Sequence, residues 1–208
     1  MLGVMTPPRE HRPQDERRRQ LIEAAVAVMT ADGVAAVTTR AVTTRAGLPH
    51  GSFHYCFDSK ADLFSAILGQ ELRASLVAAF DPPAEPTPPV ERIALGLQAR
   101  LDLVAARPDH ALALVELTAL SHRDPALRHL ARWEQEEYRR EVTRNVDEWT
   151  ASDGLRWSAP TSQVAALLVA VADGVATAWL ADRDDESARA SVGLAARSVA
   201  SLLEGSGS

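Results

Sequence analysis

The sequence predicts an all-α fold in two parts: a short N-terminal three-helix domain containing a helix-turn-helix, and a longer C-terminal helical domain. Three observations carry this reading. Apolar residues recur at spacings of three and four along most of the chain, the period of a helix with one buried face. No stretch alternates apolar and polar residues with β-branched enrichment, so no strand is expected. Prolines and glycines cluster where the periodic stretches stop and cut them into helix-sized pieces. With 208 residues, 46% of them hydrophobic, the chain can bury one generous core, or a small module beside a larger one.

Residues 1–14 hold Pro7, Pro8 and Pro13 among charged groups and are expected to form a flexible arm carrying Arg9 and Arg12. A helix starts at Asp15, with Leu21, Ile22, Ala25, Val28 and Met29 on one face, and stops at Asp32-Gly33, where glycine is expected in a left-handed cap. Thr38 or Thr39 caps a second, short helix that presents Val42 and Ala46 and ends at Gly47. Pro49 fits the first position of a third helix, because its missing N–H would be unpaired there anyway. Phe53 and Phe57 form the inner face of that helix and leave His50, Ser52, His54 and Tyr55 wholly or partly outward. Gly51 then falls inside a helix, where it costs roughly 1 kcal/mol relative to alanine. Two short helices joined by Ala46-Gly47-Leu48 make a helix-turn-helix candidate.

Asp58-Ser59 caps a fourth helix with Leu63, Phe64, Ile67, Leu68 and Leu72, which runs to about Phe80. The segment DPPAEPTPP, residues 81–89, cannot be helical. Beyond it helices are expected over residues 90–107, 109–121, 124–151, 161–181 and 185–203. The domain plan is an arm (1–14), a helix-turn-helix domain (15–60) and a helical ligand-binding and dimerisation domain (61–208).

The net charge is −6, but it is unevenly spread. Residues 1–60 carry Arg9, Arg12, Arg17, Arg18, Arg19, Arg40, Arg45 and Lys60 against Glu10, Asp15, Glu16, Glu23, Asp32 and Asp58, and are net positive. The rest is strongly acidic, as suits a chain whose head alone meets phosphate. The longest uninterrupted apolar run in the C-terminal half is Val164 to Ala172, short of a membrane span. The first residues do not read as a secretory signal, and the chain is expected in the cytoplasm. The single cysteine, Cys56, excludes an internal disulfide and reads as a small core residue. His50 and His54 lack a third ligand at credible spacing, so no metal and no cofactor is expected. There is no phosphate loop, nucleophile elbow or HExxH, which argues against an enzyme.

The run TTRAVTTRAGLPHGSFHYCFDSKADL, residues 38–63, resembles the DNA-binding segment of the tetracycline-repressor (TetR) family of transcriptional regulators. The matching positions are Thr38, Ala46, Gly47, Leu48, Gly51, Ser52, Phe53, Tyr55, Phe57, Ser59, Lys60 and Leu63. His54 stands where family members usually have tyrosine, and Cys56 where they often have an aromatic residue or histidine. The resemblance implies that the third helix enters the major groove of double-stranded DNA and that Lys60, the only lysine, contacts a phosphate rather than merely solvating a helix end. Arg40 can reach a phosphate or a guanine edge. Thr38, Thr39, Thr44, Ser52 and Tyr55 offer hydroxyls for phosphate, Gly51 permits close backbone approach, and Pro49, His50 and His54 complete the expected DNA set.

The resemblance also implies a small-molecule effector and a homodimer on an inverted-repeat operator. The eighth helix is apolar on nearly every side and the ninth carries Ala188, Gly193, Ala196 and Ala200, so the dimer is expected through this pair. Candidate effector contacts are Glu116, Trp133, Glu137, Asp173, Ala176 and Trp179. The function read from the sequence is a ligand-released repressor, with an activator or a ligand-independent DNA binder of the same fold as the alternative.

Overall fold

The computed structural model describes residues 14–204, so the arm expected over residues 1–14 lies outside them save for Gln14. The chain divides into two compact units, the first ending at Phe64 and the second starting at Ser65. Among the described residues the only extended pairing is an isolated bridge between Trp157 and Leu203.

The first unit is built on α1 (Gln14–Asp32), α2 (Thr39–Arg45), α3 (Ser52–Cys56) and the start of α4 (Lys60–Ala79). α1 buries Leu21, Ile22, Ala24, Ala25, Val28 and Met29. It stops at Gly33, whose φ of 82° is positive but whose ψ of 165° is extended; the left-handed cap expected there is replaced by a sharp exit. A 3-10 turn, Val34–Ala36, follows. Periodicity did not signal it, yet Val34 and Val37 are fully buried. Thr38 is the cap of α2, its hydroxyl oxygen accepting from the Ala41 N–H at 3.1 Å, an interaction that stabilises a helix start by about 1 kcal/mol. Gly47 closes α2 at φ 66°, and the Leu48 N–H donates back to the Thr43 carbonyl at 3.0 Å.

α3 is shorter than expected. Pro49 to Gly51 form a turn in which the Ser52 N–H donates to the Pro49 carbonyl at 2.9 Å, and Gly51 is the cap residue with an ordinary φ of −64°. Gly51 is therefore not an interior helix glycine, and the expected penalty does not arise. Phe53 and Phe57 are both buried, with ring centroids 5.6 Å apart. Arg18 ties α1 to this helix end: its Nη1 donates to the Cys56 carbonyl at 2.7 Å, and the guanidinium lies 4.2 Å from the Phe57 ring centroid. Ser59 rather than Asp58 caps α4, accepting from the Asp62 N–H at 3.1 Å.

The second unit contains the rest of α4 with α5 (Pro89–Ala106), α6 (Pro108–Arg123), α7 (Arg128–Ser152), α8 (Thr161–Asp182) and α9 (Asp185–Ala200). Prolines occupy the first turn of α5 and α6, where no N–H is needed. α7 starts later than residue 124 because the Asp124 carboxylate accepts from the Ala126 N–H at 2.9 Å and holds a turn. α9 stops short of residue 203: the chain leaves the helix so that Ser158 N–H meets the Leu202 carbonyl and Glu204 N–H the Arg156 carbonyl. One core gathers Ile93, Leu97, Trp149, Val164, Val192 and Val199, and another gathers Leu101, Val104, Ala111, Ala176 and Trp179.

α8 overturns the run-length argument of the sequence. It is long and apolar enough to cross a membrane by length and composition, with a mean hydropathy of 2.0; counting an unbroken run stopped at Asp173 and missed the apolar residues beyond it. α8 packs against α5, α7 and α9. Ala188, Ala196 and Ala200, expected between subunits, are buried inside this unit, because they share the inward stripe with Val192 and Val199.

Gly96 of α5 lies where a Cβ would come 2.7 Å from the Ala79 carbonyl oxygen. Gly96→Ala should gain about 1 kcal/mol of helix propensity in an open helix. Here the clash with backbone outweighs it, and the melting temperature is expected to fall. A rise on thermal unfolding followed by circular dichroism contradicts this close packing of α4 and α5.

Candidate DNA interface and ligand cavity

The first unit seals one side of its short helices and leaves the other bare. Val42 and Thr43 of α2 are buried, the Thr43 hydroxyl being spent on the Thr39 and Arg40 carbonyls at 2.9 and 3.2 Å. Arg40 and Thr44, one turn apart, are exposed, whereas Thr39 is half-buried and the Thr38 oxygen is engaged as the cap. On the α3 side Pro49, His50, Gly51 and His54 are exposed and Ser52 is half-buried. Tyr55 is 76% exposed, an aromatic ring held at the surface by a helix whose Phe53 and Cys56 are buried. Lys60 is exposed at the start of α4, its Nζ 5.3 Å from the Phe64 ring centroid. Exposed on these short helices and the start of α4 are therefore the cations Arg40, Arg45 and Lys60, the Thr44 hydroxyl, two imidazoles and a phenol.

Two cavities of the second unit lie among its helices and share wall residues. One, of about 480 Å³, is walled mainly by apolar residues such as Leu76, Phe80, Leu97, Val142, Val146 and Trp149. The other, of about 380 Å³, brings together Glu71, Arg100, Thr118, Glu134, Tyr138 and Asp173 among apolar neighbours. Arg100 and Tyr138 belong to the walls of both. Glu71 pairs with the buried His110 at 2.9 Å. Burial pushes its carboxyl up, but hydrogen bonding and charge from His110, with Arg107 and Arg100, outweigh this and hold it below the usual range. Burial raises the Glu134 carboxyl, against the Thr118 hydroxyl that donates to it at 3.3 Å. Burial raises Asp173 likewise, with the Arg100 charge opposing.

Of the effector contacts expected from the sequence, Asp173 and Ala176 line this second cavity; Glu116, Trp133, Glu137 and Trp179 line neither. The reason is helical phase. The inward stripe of α7 runs Glu134, Tyr138, Val142, Val146, Trp149, and Trp133 and Glu137 each sit one residue, or about 100°, off it. Trp133 is 38% exposed and packs toward Gly69, while Glu137 pairs with Arg140. Glu116 is exposed on α6. Trp179 is a structural clasp, its indole N–H donating to Asp185 at 2.7 Å under the Arg183 guanidinium. Arg100, Glu134 and Tyr138, which line the second cavity, were not among the residues expected, although extending the stripe back from Trp149 reaches the last two.

Residues 21–67 match the model of bacterial regulatory proteins of the tetR family. Residues 89–204, more than half the chain, match that of the BetI-type transcriptional repressor C-terminal domain. The chain belongs to the TetR family. It is a DNA-binding transcriptional regulator with a body of the repressor type. This TetR-family chain is similar to the HTH-type nicotine-responsive transcriptional repressor HdnoR of Paenarthrobacter nicotinovorans, at 27% identity over 82% of this chain and 87% of that one. A TetR-family transcriptional regulator from Rhodococcus sp. shares the fold with a TM-score of 0.75 at 21% identity, covering 89% and 98% of the two chains. The multidrug binding protein EbrR, solved with imidazole, gives a TM-score of 0.60 at 27% identity over 86% and 94%.

The cavity carboxyls make a stability prediction for this TetR-family protein. A carboxyl whose folded pKa lies above its unfolded one is more protonated when folded, so stability is lost as pH rises from the unfolded value through the folded one. Asp173→Asn removes that loss. The variant is expected to melt at a higher temperature than the parent at neutral pH, with the advantage vanishing at acidic pH where the parent carboxyl is protonated. A lower melting temperature at neutral pH instead makes Asp173 a net stabilising partner of Arg100.

Proposed function

We infer that the chain binds an inverted-repeat operator as a homodimer and leaves it when a small organic effector occupies the helical body. The action is in the cytoplasm and regulatory rather than catalytic. The observation that carries this reading is the bare side of the first unit, where Arg40, Thr44, His50, His54, Tyr55 and Lys60 stand outward from helices whose other faces are buried. Lys60 and the hydroxyls of Thr38, Thr39, Thr44, Ser52 and Tyr55 act on phosphates, which sets position without reading sequence. Arg40, His50 and His54 meet base edges, and Pro49 and Gly51 let the backbone come close. Residues 15–60 are the working DNA-binding domain and residues 61–208 the effector and dimer domain.

Two half-sites need two heads, and the outer face of α8 supports a second copy as its cover. Leu167, Ala170, Gly174, Thr177 and Ala181 lie along it at spacings of three and four, all exposed, and no atom lies within 4 Å of a Cβ built on Gly174. Leu194 of α9 is a further exposed apolar residue. Small residues along such a stripe permit close helix approach. A small organic effector is supported by the nicotine response of the relative HdnoR and by the cavities of the helical body, the second of which Asp173 and Ala176 help to line. α4 supplies the coupling: its first residue is Lys60, its cavity-lining residues include Leu68, Glu71, Leu72 and Ser75, and an effector that prefers one position of this helix shifts the population of DNA-competent dimers.

The test is fluorescence anisotropy on a duplex from the region upstream of the chain's own coding sequence, beside a random duplex. Two chains per inverted repeat are expected, with affinity falling steeply as salt rises because Lys and Arg displace counterions. Lys60→Ala should weaken both duplexes about equally, whereas Arg40→Ala should also relax preference at one base pair by about 1–3 kcal/mol. Equal binding of the parent chain to both duplexes overturns the operator reading.

A further inference from the structure

These two cavities of the second unit differ in how many charged groups they hold and share a pair of wall side chains. The first is apolar over most of its wall, with one opposite-charge pair of residues, Asp81 and Arg92, in its lining, and the second holds most of the carboxyls; Arg100 of α5 and Tyr138 of α7 line both. Within the polar chamber the charges do not balance. Glu71 of α4 faces His110 of α6 at 2.9 Å, with the charges of Arg107 and Arg100 also acting on it. That leaves Glu134 of α7 and Asp173 of α8 against a single guanidinium, Arg100, whose Nε is buried without a hydrogen-bond partner. Glu134 receives only the Thr118 hydroxyl at 3.3 Å. His122 of α6 is the remaining titratable group of the wall.

We propose that the effector is a hydrophobic monocation, an amine or quaternary ammonium on an apolar body, whose cationic head lies between Glu134 and Asp173 and whose body passes Arg100 and Tyr138 into the apolar chamber. This inference rests on the reading of the helical body as the effector site. A monocation brings the Glu134, Asp173 and Arg100 group to neutrality. An anion drawn to Arg100 would take the guanidinium from both carboxylates and leave three like charges close together in a partly buried site, which is the costlier arrangement. The phenol of Tyr138 places an aromatic ring at the junction, a surface that a cation tolerates and an anion does not. The apolar chamber, about 480 Å³ and walled by residues such as Leu97, Val146 and Trp149, has no use for a compact ion alone. Burial holds the Glu134 and Asp173 carboxyls above their usual range. A bound cation therefore favours their ionised forms, and affinity for a permanently charged ligand rises as pH rises through those raised values.

The experiment is isothermal titration calorimetry of the full chain with three probes of one tail length: hexyltrimethylammonium, 1-hexanol and hexanoate. Hexyltrimethylammonium is expected to bind at least about tenfold tighter than 1-hexanol, with hexanoate weakest, and to bind more tightly at about pH 8 than at about pH 5. Octyltrimethylammonium should gain a further factor of about ten from two buried methylenes, a gain that Ala172→Phe in the apolar chamber removes. Glu134→Gln and Asp173→Asn should each weaken the ammonium probe by about tenfold or more while changing 1-hexanol by less than about twofold. Loss of both probes in Glu134→Gln is checked against Asp173→Asn and the thermal melt, so that misfolding is not read as lost recognition. Hexanoate binding best, all three probes binding alike, or no probe binding overturns the proposal. Operator binding measured in parallel separates the two claims. A chain that binds its operator and is released only by anions or neutral compounds keeps the function and loses this inference; a chain that prefers cations but binds no operator does the reverse.

Discussion

A guanidinium inside a helix bundle is the constraint on which the body of this protein turns. Arg100 shares its surroundings with two carboxyls and a phenol, and every one of them is shifted by burial or by a neighbour's charge. Removing charges from water costs several kcal/mol per ion, and mutual attraction returns that only with good geometry. Replacing buried charges with well-packed apolar residues is often neutral or stabilising, so stability alone does not account for this polar group. The first unit makes the contrast. Phe53, Leu63 and Phe64 there are buried to within 1%, and of its described charged residues Arg19, Arg40, Arg45 and Lys60 are exposed and Arg18 is hydrogen-bonded to a helix end.

Function follows from the same division of labour. The DNA-facing side needs cations and hydroxyls presented on a rigid surface, and short helices pinned by Phe53, Phe57 and Val42 provide it. The effector side needs room and an imbalance of charge that a ligand corrects. A ligand changes an equilibrium only by its difference in affinity for the two states, so a site whose empty form is electrostatically incomplete has the larger lever.

Much of this was legible in the sequence. Helix existence and order followed from the three-four periodicity, and the punctuation by Pro89, Pro108 and Gly154 lies where helices start or end. Thr38, Gly47 and Ser59 act as caps or stops because their chemistry leaves few other uses. What was not legible depended on phase and on distant partners. Choosing Trp133 and Glu137 followed residue type, whereas the stripe ending at Trp149 places Glu134 and Tyr138 inward. Arg18 and Arg100 look like any surface arginine until the carbonyl or the carboxyls they face are known. The alanines of α9 were read as subunit contacts because small residues suit close approach of any helix, its own neighbours included. Gly51 shifted from helix interior to cap because Pro49 and His50 form a turn of their own, which single-residue propensity does not report.

The central claim is that occupancy of the body controls the hold of the head on DNA. The direct test is operator affinity, by anisotropy, of the parent chain and of Thr118→Trp, which fills part of the polar chamber with an indole, across a titration of hexyltrimethylammonium. The account predicts that the parent loses operator affinity as the cation is added, while Thr118→Trp binds operator equally well without it and no longer responds. Equal loss of affinity in both chains, or a variant that fails on DNA without the cation yet keeps the full response, contradicts it.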